Sequence, residues 1–282
     1  MAMAAIGTSL LRDSKSFERI IKVLFIAGGL NVLYCAWALV FGDFIGWQNP
    51  YGNILGLFGN PDFISAFLGM FISGVIGYIA APKKSWPVRG IGVLTSLVAF
   101  YEIHKSHAIQ GKAVTGAGLA IVGFFWVRSR FKSVIAPISY LAIVAVGAAF
   151  ALAGALQKGP LTQYIYKTSV SLRGQYWKAA IEAGQSHPLS GVGMDAFGDW
   201  YRRTRSEYAA TVLPGPQVIT NAAHNVVLDF FASGGWPLLL TYVATIALGV
   251  WVIVQVTLRS REYSGIFVAI AATWLCYELQ SV

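Results

Sequence analysis

Apolar residues run along this chain in long blocks rather than alternating with polar ones. The blocks fall at roughly 21–41, 63–81, 88–102, 113–127, 134–156, 236–256 and 264–282. A helix needs about 20 mostly apolar residues to cross a hydrocarbon layer about 30 Å thick, because it rises about 1.5 Å per residue. Several blocks reach that length. The third and fourth are shorter, with Arg89 and Glu102 bracketing one and Lys112 preceding the other, so they are expected to snorkel, to tilt little or to form a re-entrant pair. In each case the pair returns to the side it left. The expected fold is all-α, a polytopic transmembrane helix bundle of about seven spanning segments.

The pattern changes at 157–235, which is too polar to span and too rich in Trp, Tyr and Leu to stay disordered. The chain thus divides into N-terminal spanning segments (1–156), a large helical loop between the fifth and sixth segments (157–235), and C-terminal spanning segments (236–282). Within the loop, Ser169 or Ser171 can cap a helix running to about Gln185, which the His187-Pro188 step, Gly191 and Gly193 then break. A second helix is expected over 194–209. Pro214 and Pro216 interrupt the chain, Thr220 or Asn221 can cap a third helix ending at Gly234-Gly235, and Pro237 opens the sixth spanning segment.

Charge orients these segments. Lys and Arg mark the cytoplasmic ends of spanning helices, and Arg12, Lys15, Arg19, Lys22, Lys83, Lys84, Arg89, Arg128, Arg130, Lys132, Arg259 and Arg261 all fall on one side. The opposite short loops hold only Lys105 and Lys112. The N-terminus is therefore expected inside and the 157–235 loop outside. The first block is longer than the roughly 7 to 15 apolar residues of a cleaved leader and reads as a signal anchor. Because the chain stops at Val282 inside an apolar run, the natural protein is expected to continue past it and to hold further spanning helices before Ile20.

Composition agrees with membrane residence: 56% of residues are hydrophobic and 12% charged, with a mean hydropathy of +0.61. Soluble domains carry about a quarter charged residues. The formal charge of +9 is scattered in short clusters between apolar blocks, which fits topology rather than a nucleic-acid partner. Cys35 and Cys276 lie inside apolar blocks without a partner at metal or redox spacing, and read as packing residues.

The loop holds three motifs in order: Leu172-Arg173-Gly174-Gln175-Tyr176-Trp177, then His187-Pro188-Leu189-Ser190-Gly191-Val192-Gly193, then Ala223-His224-Asn225 ahead of Gly234-Gly235. Together they resemble the external loop of the O-antigen ligase and polymerase family. Gly59-Asn60-Pro61-Asp62 resembles the step that opens an earlier spanning helix in those proteins. The resemblance covers about residues 50–282. It implies a multi-pass protein of the bacterial inner membrane that transfers a glycan from an undecaprenyl-pyrophosphate carrier to a hydroxyl of a lipid or glycan acceptor on the outer face.

That chemistry substitutes an anomeric carbon whose leaving group is already a pyrophosphate, so the site must neutralise growing negative charge and remove one proton. A guanidinium and an imidazole suit those tasks. The resemblance puts the pyrophosphate on Arg173 and the general base on His224. Asn225 either orients substrate or satisfies a helix start. Arg202, Arg203 and Arg205 form the densest basic cluster of the loop and can bind a second phosphate or a charged acceptor, or simply form a solvated face. Asp229 can orient His224 or pair with an arginine. No metal or cofactor is called for, since no acidic pair, phosphate-binding loop or dinucleotide fingerprint occurs. The rival from another class is a transporter of a small solute such as inorganic carbon.

Overall fold

A computed structural model describes residues 14–49 and 52–281; Arg12 of the charge pattern and the terminal Val282 lie outside the described residues. Among the described residues every regular element is helical: α1 (Ser14–Phe41), a 3-10 turn (Gly56–Phe58), α2 (Pro61–Ile79), α3 (Trp86–Lys105), α4 (Ile109–Arg130), α5 (Ile135–Ala155), α6 (Thr162–Ile165), α7 (Thr168–Ser186), α8 (Phe197–Thr204), α9 (Glu207–Thr211), α10 (Val226–Arg259) and α11 (Gly265–Gln280). Five of these, α1, α2, α4, α5 and α10, are long and apolar enough to cross a membrane, and α11 is a shorter apolar helix. The third and fourth apolar blocks become helices of 20 and 22 residues, longer than their apolar runs. Their basic last turns, with Lys105 in α3 and with Arg128 and Arg130 in α4, face the negative end of the helix dipole and extend each helix beyond its greasy part.

The chain forms two compact units, one reaching to Leu141 and taking up Arg261–Gln280, the other holding Ala142–Ser260. In the first unit α2 packs against α1, α3, α4 and α11. Its start follows from sequence: Asn60 caps it, accepting from the N–H groups of Asp62 (2.8 Å) and Phe63 (3.3 Å), and Pro61 occupies a first-turn position that needs no donor. Small residues let the helices approach closely, as expected where lipid supplies no hydrophobic drive between helices. A Cβ at Gly111 of α4 would sit 2.5 Å from the Ser65 carbonyl oxygen of α2. Side chains seal the same seams. The Tyr263 hydroxyl donates to Gly77 O at 2.9 Å, and Cys276 donates to Val114 O at 3.5 Å. Both cysteines are free and buried, as packing residues should be.

Glu102 departs from its expected place at a helix edge. It is fully buried in α3, and neither of its carboxyl oxygens has a hydrogen-bond partner among the described residues. Within the second unit, by contrast, α10 carries Leu240, Leu248 and Trp251 exposed, the surface of a helix solvated by lipid.

The close approach at α4 predicts a specific intolerance. Gly111→Val should lower the thermal midpoint of the detergent-purified protein, by the about 1–3 kcal/mol typical of overpacking. Gly116→Val on the same helix, where an added Cβ meets nothing within 4 Å, should leave the midpoint nearly unchanged. Equal effects of the two would show that backbone proximity at Gly111 is not limiting.

Candidate functional site

The second unit is organised by a broken helix. Within α10, Gly235 has φ 63° and ψ −159°, a conformation essentially reserved for glycine, and Pro237 follows it. A regular helix would use the N–H groups of residues 236 and 237 to satisfy the carbonyls of Ala232 and Ser233. Pro237 has no N–H, and Trp236 instead donates to Pro188 O at 2.8 Å. The two carbonyls are taken by the turn after α7: Val192 N–H donates to Ala232 O (2.8 Å) and Gly193 N–H to Ser233 O (3.1 Å). The turn comes so close that a Cβ at Gly191, where φ is 63°, would lie 2.2 Å from the Ser233 carbonyl carbon. The His-Pro-Leu-Ser-Gly-Val-Gly stretch is thus a patch over a helix break, and Gly234-Gly235 with Pro237 is the break it covers.

Around this lock lies a core of Tyr176, Ala179, Ala180, Ala183, Phe197 and Tyr201 with Ala223 and Ala232. The alanines of α7 recur on one face and let it lie close to α10. Tyr176 is the hub. Its ring meets Tyr201 edge-on at 5.7 Å and the His224 ring at 5.9 Å. Arg173 sits three residues before Tyr176 on α7, hence on the same helix face one turn away. His224 therefore lies against the Tyr176 ring, and Arg173 lies one turn earlier on the helix that carries it. Arg173 is half-buried and forms no hydrogen bond or ion pair among the described residues, while His224 is exposed. Burial pushes the Tyr176 and Tyr201 phenols up from their ordinary values, so both stay neutral hydrogen-bond donors at neutral pH.

The backbone presents His224 in a rare conformation. Its φ of 56° places it in the left-handed region, which prevents α10 from starting any earlier. Asn225 follows as the helix cap, its side chain accepting from Leu228 N–H at 3.2 Å. Asp229, one turn on, reaches back to accept from Ala223 N–H at 2.6 Å, and its carboxylate interacts electrostatically with His224. His224 is held on both flanks, by the Asp229 bond before it and by the cap after it.

The expected caps Thr220 and Asn221 do not start this helix; Thr220 instead donates to Ala222 O at 2.7 Å within the preceding turn. Likewise α7 begins at Thr168 rather than behind Ser169 or Ser171, and the Ser171 hydroxyl pairs with Tyr166 at 3.1 Å. The single helix expected over 194–209 is two. Ser206 caps α9 through Ala209 N–H at 3.1 Å and forces an extended link after α8.

The arginine cluster separates into different tasks. Arg205 turns inward, donating to Gly215 O (3.5 Å) and Val218 O (3.4 Å) and lying 5.7 Å from the Tyr201 ring centroid. Arg203 stacks over Trp200 at 5.2 Å, and Trp200 meets His187 at 4.8 Å. Arg202 is exposed. Among the described residues no contact joins Arg202 or Arg203 to Arg173 or His224. Nor does any group of three His, Cys, Asp or Glu side chains stand where it could hold a metal ion. Tyr176 is the residue that sequence reading passed over, although its spacing of three from Arg173 was visible.

Taken together, the apolar helices and the polar helical unit define a multi-pass α-helical membrane protein with an imidazole beside a buried phenol. The family described as O-antigen ligase matches residues 106–243, just under half of the chain and a stretch that includes Arg173, His224 and the patched break. Glycan transfer of the O-antigen ligase or polymerase kind is the activity this supports, and it gives no support to small-solute transport. Comparison with curated proteins found no match.

The lock predicts that Gly191→Ala and Gly235→Ala each cost about 1–3 kcal/mol for the forced backbone alone. Hydrogen exchange at the Val192 and Gly193 amides should accelerate in both variants while α2 and α4 keep their protection. Unchanged protection at those two amides would mean that the turn does not depend on the break.

Proposed function

We propose that this protein transfers a glycan from an undecaprenyl-pyrophosphate carrier to a hydroxyl of a lipid or glycan acceptor at the outer face of the bacterial inner membrane. The acceptor oxygen attacks the anomeric carbon, the bond from that carbon to the pyrophosphate oxygen breaks, and undecaprenyl pyrophosphate leaves. His224 takes the acceptor proton, and Arg173 holds the pyrophosphate through two N–H groups as its charge grows. The Asp229 carboxylate interacts electrostatically with His224. Asn225 acts chiefly through the helix start that it caps, and Arg202 and Arg203 offer charge to a second phosphate or a charged acceptor. Since the leaving group is already activated, the reaction needs no metal or cofactor. What supports this reading is the His224 ring against Tyr176, with Arg173 one turn earlier on the helix that carries Tyr176.

The same reading fixes a topology of about seven spanning segments with the N-terminus inside. Residues 1–156 and 236–282 carry the spanning helices, and 157–235 form the external part. The one-sided distribution of Lys83, Arg89, Arg128, Arg130, Lys132 and Arg261 supports it. Because Cys35 and Cys276 are buried, a membrane-impermeant thiol reagent should report introduced cysteines cleanly. In intact spheroplasts it should modify Met194→Cys and spare Ser85→Cys; the opposite pattern inverts the topology.

For the chemistry, the test is transfer from a defined undecaprenyl-pyrophosphate glycan in the presence of EDTA. His224→Asn suits the left-handed backbone while removing the imidazole, and should lower turnover roughly 100- to 10,000-fold with donor binding retained. Arg173→Lys keeps the charge but loses the two-pronged contact, so donor affinity and turnover should both fall, by roughly tenfold or more. Wild-type rates in both variants would sink the assignment, and loss of activity with EDTA would sink its metal-independent form.

A further inference from the structure

The first unit holds a second strongly charged feature that glycan transfer does not use. The turn after α2 contributes Lys83, and Arg89 follows in the first turn of α3. The end of α4 contributes Arg128 and Arg130, Lys132 follows it, and Arg261 precedes α11; all six line one cavity of about 1070 Å³. Glu262 is the only carboxylate in that lining. Two of the guanidiniums are fixed by backbone. Arg89 donates through Nη2 to Ala81 O (2.9 Å) and Pro82 O (3.2 Å), and its buried Nε has no partner. Arg261 donates through Nη1 to Lys132 O (2.6 Å) and Phe131 O (3.3 Å). Each guanidinium has five N–H donors, so these bonds leave most of them for a ligand.

Positive-inside topology accounts for cations near helix ends, but not for their convergence. Six cations around one space with a single carboxylate among them leave a net positive charge that opposes their convergence, and backbone bonds hold two of them there. An anion in the cavity reverses the sign of the energy. The planar, multiply donating guanidiniums match the oxygens of a phosphate. Beside them, Trp126 and Phe131 line the same cavity and are 49% and 48% exposed, which provides an apolar wall next to the charges. We infer that this cavity binds the phosphate of an anionic phospholipid headgroup, with an acyl chain against Trp126 and Phe131.

Native mass spectrometry of the full chain released from detergent tests this, with phosphatidylglycerol and net-neutral phosphatidylcholine as probes. Wild type should retain phosphatidylglycerol in preference to phosphatidylcholine. The triple variant Lys83→Gln, Arg130→Gln, Lys132→Gln spares the two backbone-bonded arginines. It should lose on the order of 100-fold in phosphatidylglycerol affinity, since each cation near an anionic surface contributes about fivefold. Lys15→Gln, Arg19→Gln, Lys22→Gln removes the same charge from exposed positions on α1 and should bind nearly as wild type. Equal losses in the two triple variants, or equal retention of the two lipids by wild type, would overturn the proposal. Competition by millimolar inorganic phosphate would replace the lipid by a soluble phosphate and overturn the headgroup assignment, whereas its failure to compete supports the lipid. Glycan transfer by the cavity variant reads out separately, so neither proposal stands or falls with the other.

Discussion

Two backbone carbonyls decide the shape of the polar unit. Ala232 O and Ser233 O lose their helical donors because Gly235 bends the chain and Pro237 brings no N–H. Left bare inside a packed unit they would cost several kcal/mol between them, since a buried unsatisfied polar group costs about 1–3 kcal/mol. Val192 and Gly193 remove that cost, and only a turn with glycine at 191 can come close enough to do so. The turn therefore cannot move without exposing the break, and the break cannot straighten without ejecting the turn. Both the end of α7 and the start of α10 are thereby fixed, and with them Tyr176 and His224.

Given that frame, the site is assembled with few specific polar contacts. Alanines of α7 set the distance between helices, Tyr176 fills the space they leave, and His224 lies against its ring. His224 owes its direction to backbone: a left-handed φ, a cap immediately after it, and the Asp229 bond to Ala223 before it. A side chain held in this way is pre-organised without being buried, so a ligand can still reach it.

How much of this could be read from residues alone depends on the range of the interaction. The apolar blocks marked the helices, five of them long and apolar enough to cross a membrane, and the polar stretch between them, because crossing length is a property of local composition. Gly234-Gly235 and Pro237 marked the break, because proline removes a donor wherever it stands. The start of α10 stayed open among Thr220, Asn221 and Asn225, the last of which was read as a possible helix start, and the left-handed His224 decides for Asn225. The inward turn of Arg205 onto Gly215 and Val218 escaped for a similar reason: its partners are carbonyls that any sequence would supply. Burial of Glu102 was masked by Lys105 and the polar turn beyond it, which made the end of α3 look like a water-facing edge.

The patched break also separates two mechanical environments along α10. A spanning helix adjusts its tilt to the local thickness of the bilayer, and in a continuous helix each adjustment would pass up the hydrogen-bond ladder to the residues at its start. Here the ladder is interrupted at 235–237, and the carbonyls below the gap are bonded to another segment. A change in tilt on the Leu240 side thus finds no unbroken hydrogen-bond ladder along which to reach His224. Membranes of different thickness should therefore present the same arrangement of imidazole and guanidinium.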